Sequence, residues 1–275
     1  MHPKPKKSLG QNFLIDKNIQ AKIIKYSAPK ETENVLEIGP GRGELTQLLL
    51  EKARRVIAVE IDKQLCPLLA ERFKAYKNFE LINADILKLD LSKFGKLKVI
   101  ANLPYYISSP VVAHILDYRK SIEAAYLTLQ KELAMRLCSP VGTKDCGAIS
   151  CLVGYYSQPR ILFPISNSSF WPKPKVDSCF VELKMLPEPK VKVQNEKLFF
   201  KLIRLAFNQR RKLLKNSLAS LLPQVRLADC LEAAGLKQKV RAEELSLSDF
   251  ARLADYFSAR TRTVPLEIQK SCGIL

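Results

Sequence analysis

Histidine is almost missing from this chain: among 275 residues only His2 and His114 carry an imidazole. A histidine-built metal centre or a Ser-His-Asp triad therefore has too few parts. His114 falls in a helical stretch behind Pro110, where packing or solvent exposure is its expected role. The seven cysteines, at 66, 138, 146, 151, 179, 230 and 272, include no C-x-x-C pair. An odd number without metal-ligand spacing, and without a signal peptide ahead of it, predicts reduced thiols, a cytoplasmic location and no metal. No 18-residue apolar run and no terminal amphipathic helix is present, so no membrane partner is expected. Acid is short as well: 27 Asp and Glu face 45 Lys and Arg, a net charge of +18. That balance predicts a polyanionic partner, with nucleic acid first in line.

What is present is ordinary globular material, 47% hydrophobic and 26% charged, with room for one large domain and a smaller one. From residue 35 short β-rich runs alternate with amphipathic stretches, the pattern of a doubly wound α/β domain. Strands are predicted over 35–38, 56–59, 79–82, 99–101 and 124–129, with helices over 44–52, 63–75 and 131–137. Ser109 reads as the cap of a further helix with Pro110 at its first position. The runs 161–163 and 179–183 alternate enough to close the sheet as an antiparallel hairpin. Leu186-Pro187-Glu188-Pro189 then breaks the pattern, and only helical periodicity follows, enough for three or four helices. The expected division is 1–186 for the α/β domain and 187–275 for an all-helical one, which holds +8 of the charge beyond residue 185. Residues 1–8, opening Met-His-Pro-Lys-Pro-Lys-Lys, are expected to be a mobile basic arm.

The most informative motif is Asn102-Leu103-Pro104-Tyr105, at the end of the fourth predicted strand. An exocyclic amine on a base is a poor nucleophile because its lone pair is delocalised into the ring. The Asn102 side-chain oxygen and the Leu103 carbonyl can each accept one of its hydrogens and leave the lone pair aimed at an electrophile. Pro104 fixes its own φ and restricts the residue before it. Tyr105 offers a ring face for stacking, worth roughly 1–3 kcal/mol per base.

Three more strand ends carry polar chemistry. Gly39-Pro40-Gly41-Arg42-Gly43 joins the first strand to the first helix and lets backbone pass close to a ligand. Its spacing differs by one residue from the dinucleotide fingerprint. Glu60 ends the second strand, where a carboxylate can accept from both hydroxyls of a ribose. Asp85 ends the third, where it can accept from an adenine amine. Together with Asn102 these groups suit the nucleoside of S-adenosyl-L-methionine, at the sheet edge where open α/β sheets bind ligands.

With these motifs in place the chain resembles the ribosomal RNA adenine dimethyltransferases over essentially its whole length, and within them the branch acting on the small subunit. Ser8-Leu9-Gly10-Gln11-Asn12-Phe13-Leu14 is similar to the family's G-Q-N-F-L segment, and Phe170-Trp171-Pro172-Lys173-Pro174-Lys175-Val176-Asp177-Ser178 to its F-x-P-x-P-x-V-x-S loop. The resemblance implies a Rossmann-like class I methyltransferase sheet with a smaller all-helical C-terminal domain. It adds Gln11, Asn12 and Leu14 to the cofactor set of Gly39, Gly41, Glu60, Asp85 and Asn102, and makes Phe170 the second aromatic wall opposite Tyr105. The implied reaction is N6,N6-dimethylation of two adjacent adenosines near the 3′ end of 16S rRNA, in a precursor small subunit, by a monomer that leaves S-adenosyl-L-homocysteine and uses no metal. Phe207-Asn208-Gln209-Arg210-Arg211-Lys212 resembles the run that opens the family's helical domain. Alone, Arg210, Arg211 and Lys212 read as a solvated helix face, and Lys173 and Lys175 as the surface of a rigid turn. In a chain of +18 with a base-gripping motif, both become candidate RNA contacts. Three alternatives stay open at this point: a 23S rRNA dimethyltransferase of the macrolide-resistance type, a DNA adenine methyltransferase, and a non-catalytic ribosome-assembly factor.

Overall fold

A computed structural model of the chain describes residues 4–209, 212–219 and 227–261. By contacts it forms two compact units. The first runs to Cys138 and resumes over Tyr156–Glu188, while Ser139–Tyr155 groups with the chain from Pro189 onward.

The first unit is built on nine strands: β1 Phe13–Leu14, β2 Asn34–Ile38, β3 Arg55–Glu60, β4 Phe79–Asn83, β5 Leu97–Asn102, β6 Ile122–Gln130, β7 Ser157–Ile165, β8 Phe170–Trp171 and β9 Ser178–Met185. Seven of them make one sheet in the order β4-β3-β2-β5-β6-β9-β7. The five from β4 to β6 are mutually parallel, and β9 runs antiparallel between β6 and β7. Parallel strands covered on both faces read as continuous apolar runs. That is why Val35-Leu36, Val56-Ile57-Ala58-Val59 and Val99-Ile100-Ala101 are buried without alternation. One buried charge among these strands is Lys98 in β5, whose Nζ meets Glu33 Oε2 at 2.7 Å and the Ala28 carbonyl at 3.1 Å. Burying the cation is tolerated because both partners are in place.

Helices α1 Lys17–Ser27, α2 Glu44–Leu50, α3 Cys66–Phe73, α4 Ser108–Asp117 and α5 Lys131–Cys138 connect these strands. Asp16 caps α1, accepting from the Asn18 and Ile19 N–H groups. The predicted start of α4 is corrected by two residues, with Ile107 rather than Ser109 at the cap position. Ser108 opens the helix, after a 3-10 turn over Tyr105–Ile107, and its Oγ donates to the Pro104 carbonyl. Pro110 keeps its place in the first turn, where a missing N–H costs nothing. His114 Nε2 pairs with the Leu89 carbonyl at 3.1 Å, a packing role.

The expected free arm is corrected from Lys6 onward, while residues 1–3 lie outside the described residues. A buried carboxylate needs a partner, and Asp62, 3% exposed, finds it in Lys6, whose Nζ lies 2.6 Å away. Lys7–Leu9 then form a 3-10 turn.

In the second unit helices α7 Glu196–Asn208, α8 Leu214–Ser217, α9 Leu227–Ala233 and α10 Leu247–Thr261 follow in order, with α6 Ala148–Tyr156 starting upstream in the Ser139–Tyr155 segment. Asn195 caps α7 by accepting from the Leu198 N–H. Phe199, Leu202, Ile203, Ala206 and Phe207 give α7 one apolar face. The Tyr155 ring lies tilted against Phe199 with centroids 5.0 Å apart, and the Phe207 ring lies 6.2 Å from that of Phe250. All six cysteines among the described residues carry free thiols.

Candidate active site

Parallel register brings the polar strand ends level. Ile38 lies opposite Val59 on one side and Ala101 on the other, and Glu60 lies opposite Asn83. The chain moves outward from β2 to β4 and returns to β5, so the crevice opens between β2 and β5 at their carboxyl ends. A cavity of about 240 Å³ occupies it. The N-terminal strap supplies Gln11, Asn12 and Leu14 to its wall, and the glycine turn supplies Gly39 and Gly41. Glu60 enters as the last residue of β3, while Asp85 stands two residues beyond the end of β4, not at the strand end, and caps the 3-10 turn Ile86–Lys88. Asn102, Leu103, Pro104, Tyr105 and Phe170 complete the predicted set, so all twelve line one cavity.

The glycine turn is left-handed at Gly39, Gly41 and Gly43, with φ of 69°, 60° and 88°. Two of these positions also lack room for a side chain. A Cβ on Gly41 would stand 3.0 Å from the Phe13 ring, and one on Gly43 only 2.6 Å from Phe73. Just before the turn, the Glu37 carboxyl is fully buried and accepts from Thr46 Oγ1 at 2.6 Å. Burial outweighs that hydrogen bond and pushes its pKa up to about 8.

Glu60 is buried as well, which pushes its pKa up, while donors from Asp62 and Gly41 pull the other way. Its Oε1 accepts from the Asp62 N–H at 2.8 Å and its Oε2 from the Gly41 N–H at 3.3 Å. Each oxygen keeps acceptor capacity, which fits a pair of neighbouring hydroxyls. Asp85 Oδ1 accepts from the Leu87 N–H at 3.0 Å, leaving its second oxygen for an amine donor. A ribose and an adenine amine are therefore matched by the carboxylates present.

Asn102 is the last residue of β5. Its Nδ2 donates to the Asn12 carbonyl at 3.0 Å. A carbonyl partner requires the NH₂ end on that side, so the free end of the amide is the oxygen, an acceptor. Tyr105 is anchored by its hydroxyl to Ser178 Oγ at 2.8 Å, and burial raises the phenol's pKa. Phe170 is 3% exposed and sits opposite Leu14 in the β1–β8 pair.

Some lining residues were not singled out from sequence. Glu37 is one; its signal was an acid inside an otherwise apolar strand just before the glycines. Ile61 and Ile86 are others, and each directly follows one of the site carboxylates. Tyr106 also lines the cavity and is 57% exposed. Lys173, Lys175 and Lys212 are exposed and take no part in the cavity, while Arg210 and Arg211 lie outside the described residues. Among the described residues no group of three His, Cys, Asp or Glu side chains gathers as metal ligands, and no helix is long and apolar enough to cross a membrane.

A seven-stranded sheet with one antiparallel strand next to its last, and a nucleoside-shaped set of acceptors at its carboxyl edge, defines a class I S-adenosylmethionine-dependent methyltransferase. Within that class, the model of the ribosomal RNA adenine dimethylase family matches residues 2–259, and the chain belongs to that family. It is 45% identical over 264 residues to ribosomal RNA small subunit methyltransferase A of Alkaliphilus metalliredigens, covering 92% of each chain. The protein of the same name from Clostridium botulinum is 41% identical over 254 residues, covering 90% of this chain and 92% of its own. Among solved structures, a dimethyladenosine transferase from Plasmodium falciparum superposes with a TM-score of 0.78 at 29% identity, over 90% of this chain and 98% of that one. The 23S rRNA methyltransferase ErmE reaches 0.70 at 26% identity, over 90% and 100%.

Proposed function

We propose that this chain transfers methyl groups from S-adenosyl-L-methionine to the N6 amines of two adjacent adenosines near the 3′ end of 16S rRNA, within a precursor small subunit, as a cytoplasmic monomer. The observation that carries the residue-level reading is the Asn102 amide, with its nitrogen committed to Asn12 and its oxygen left as an acceptor at the cavity. The substrate is supported by the small-subunit methyltransferases that the chain resembles at 41–45% identity over most of its length.

The cofactor, when bound, supplies an electrophilic sulfonium methyl. Glu60 accepts from its ribose hydroxyls and Asp85 from its adenine amine, with Gln11, Asn12, Leu14, Gly39 and Gly41 closing round it. Asn102 Oδ1 and the Leu103 carbonyl take the hydrogens of the target amine, and Pro104 keeps that carbonyl in place. Tyr105 and Phe170 hold the flat base between them. Orientation of this kind can lower a barrier by up to roughly 7–11 kcal/mol, so the site needs no strong general base. A stacked base cannot reach such a cavity, so the target adenosine enters unpaired or flipped out. The α/β part, residues 1–186, does this chemistry, and residues 187–275 act mainly as an RNA clamp through Arg210, Arg211 and Lys212, helped by Lys173 and Lys175.

Asn102→Ala tests the reading. Single-turnover methylation of undermethylated small subunits should be abolished while affinity for S-adenosylhomocysteine falls only modestly. A variant that methylates at the wild-type rate would show that the acceptor is gripped elsewhere.

A further inference from the structure

The N-terminal strap, residues 6–14, touches the Asp62 turn, the Gly41 turn, the Asn102–Tyr106 loop and the Phe170 strand. At its root Lys6 Nζ binds Asp62 Oδ1 at 2.6 Å, and Gln11 Nε2 binds Asp62 Oδ2 at 3.0 Å. The Gln11 Oε1 accepts in turn from the Lys6 N–H at 2.8 Å, so Lys6, Gln11 and Asp62 close a ring of hydrogen bonds. Midway, Gly10 bends with φ of 56° and lies against Tyr106, where a Cβ would stand 3.0 Å from the ring. Next, the Asn12 carbonyl receives the Asn102 amide at 3.0 Å. The Phe13 ring packs on Gly41 and carries the Arg42 guanidinium 4.6 Å from its centre. Phe13 and Leu14 finally pair with Trp171 and Phe170.

Neither Lys6 nor Asp62 lines the cavity, so neither meets cofactor or base directly. Asp62 is nonetheless almost fully buried, and a buried carboxylate with a cation 2.6 Å away is costly to separate. Charge-assisted bonds of this kind are also about twice as strong as neutral ones. An Asn side chain, by contrast, has two nearly isosteric orientations with opposite hydrogen-bonding sense. With the NH₂ end toward the target amine, donor would face donor and the grip would be lost. Asn12, through its carbonyl, selects the productive orientation, and Asn12 stays where it is because the strap is fastened at its root.

We infer that Lys6 and Asp62 are positioning residues for methyl transfer: their ion pair fastens the strap that orients the Asn102 amide. The inference rests on the acceptor role proposed above for Asn102. Cofactor hold and acceptor grip are thereby coupled through one short segment, since Gln11, Asn12 and Leu14 also close the cofactor side.

A double-mutant cycle on the full-length protein tests it. Lys6→Met, Asp62→Asn and the double variant would be assayed at saturating S-adenosylmethionine for single-turnover methylation of undermethylated small subunits. Misplacement by an ångström can cost on the order of a hundredfold, so each single variant should lose roughly tenfold to a hundredfold in rate. The double should lose no more than the worse single, because both remove the same link. Lys6→Arg should restore most of the rate, and amide exchange over residues 6–14 should quicken in Lys6→Met while its melting temperature holds. A wild-type rate for Lys6→Met, or additive losses in the double variant, would overturn the inference. Asn102→Ala run alongside separates the two ideas. If it is inactive while Lys6→Met is normal, the latch alone fails; if it is active, the acceptor reading fails and takes the latch with it.

Discussion

Glu37 and Glu60 sit some twenty residues apart in sequence and share one cavity, yet solvent exclusion treats them differently. Glu60 keeps backbone donors on both oxygens, the arrangement that also leaves it able to accept hydroxyls. Glu60→Ala should therefore weaken cofactor binding, as isothermal titration with S-adenosylhomocysteine would show, and an unchanged dissociation constant would make Glu60 merely structural. Glu37, with a folded pKa near 8 against an ordinary 4.5, holds its proton when folded across a window where the unfolded chain has lost it. The folded state binds more protons there, so stability is fully present below about pH 4.5 and declines as pH rises toward 8. Glu37→Gln should remove that decline, which amounts to roughly 3–5 kcal/mol. Urea unfolding at pH 5 and pH 8 measures it: the wild type should lose more between the two than the variant. At this scale the sequence was legible wherever a polar residue ends or closely follows an apolar strand, as at Glu60, Asp85 and Asn102. Asp62 escaped notice because its burial, and hence its need for Lys6, arises only when the strap folds across it.

At the scale of elements, the glycine turn joins β2 to α2 and α3 packs under it through Phe73. Gly43→Ala asks a non-glycine residue to adopt φ of 88° and drives a methyl group to within 2.6 Å of that ring. Strain and overpacking together should cost roughly 2–5 kcal/mol, read as a lowered urea midpoint with an unchanged slope. The parallel strands were visible in advance because burial on both faces leaves an unbroken apolar run. The β1–β8 pair was not, since two-residue strands carry no period and form only when residues 13–14 meet 170–171. Helix α4 was placed with the wrong cap for a related reason. Ser108 bonds the carbonyl of the same Pro104 that shapes the acceptor loop, a link that local capping rules do not contain.

Over the whole molecule, the spread of +18 suits a polyanion better than a small ligand. Each phosphate contact adds roughly 0.7 to the slope of log affinity against log salt for single strands, more for duplex. Replacing Arg210 and Arg211 by Ala should weaken small-subunit binding and flatten that slope by about one to two units, with cofactor affinity unchanged. Binding measured across a salt series decides it, and an unaltered slope would return both arginines to plain solvation. The two-part character of the chain was legible from the Pro-rich break and the change of period. The grouping of Ser139–Tyr155 with the residues from Pro189 onward was not, because a reading along the chain cuts it once and contacts do not.

The position of β9 has a consequence for synthesis. It is the last strand of the sheet to be translated, yet it lies between β6 and β7 and is, among the described residues, the only sheet neighbour of β7. While the chain emerges from its ribosome, β6 presents an open edge, and β7 waits without a partner until residue 185 is free. Open edges are templates for pairing with other chains. The nascent protein thus passes through an interval of some fifty residues, from the end of β6 to the end of β9, in which its seven-stranded sheet is complete on one side only.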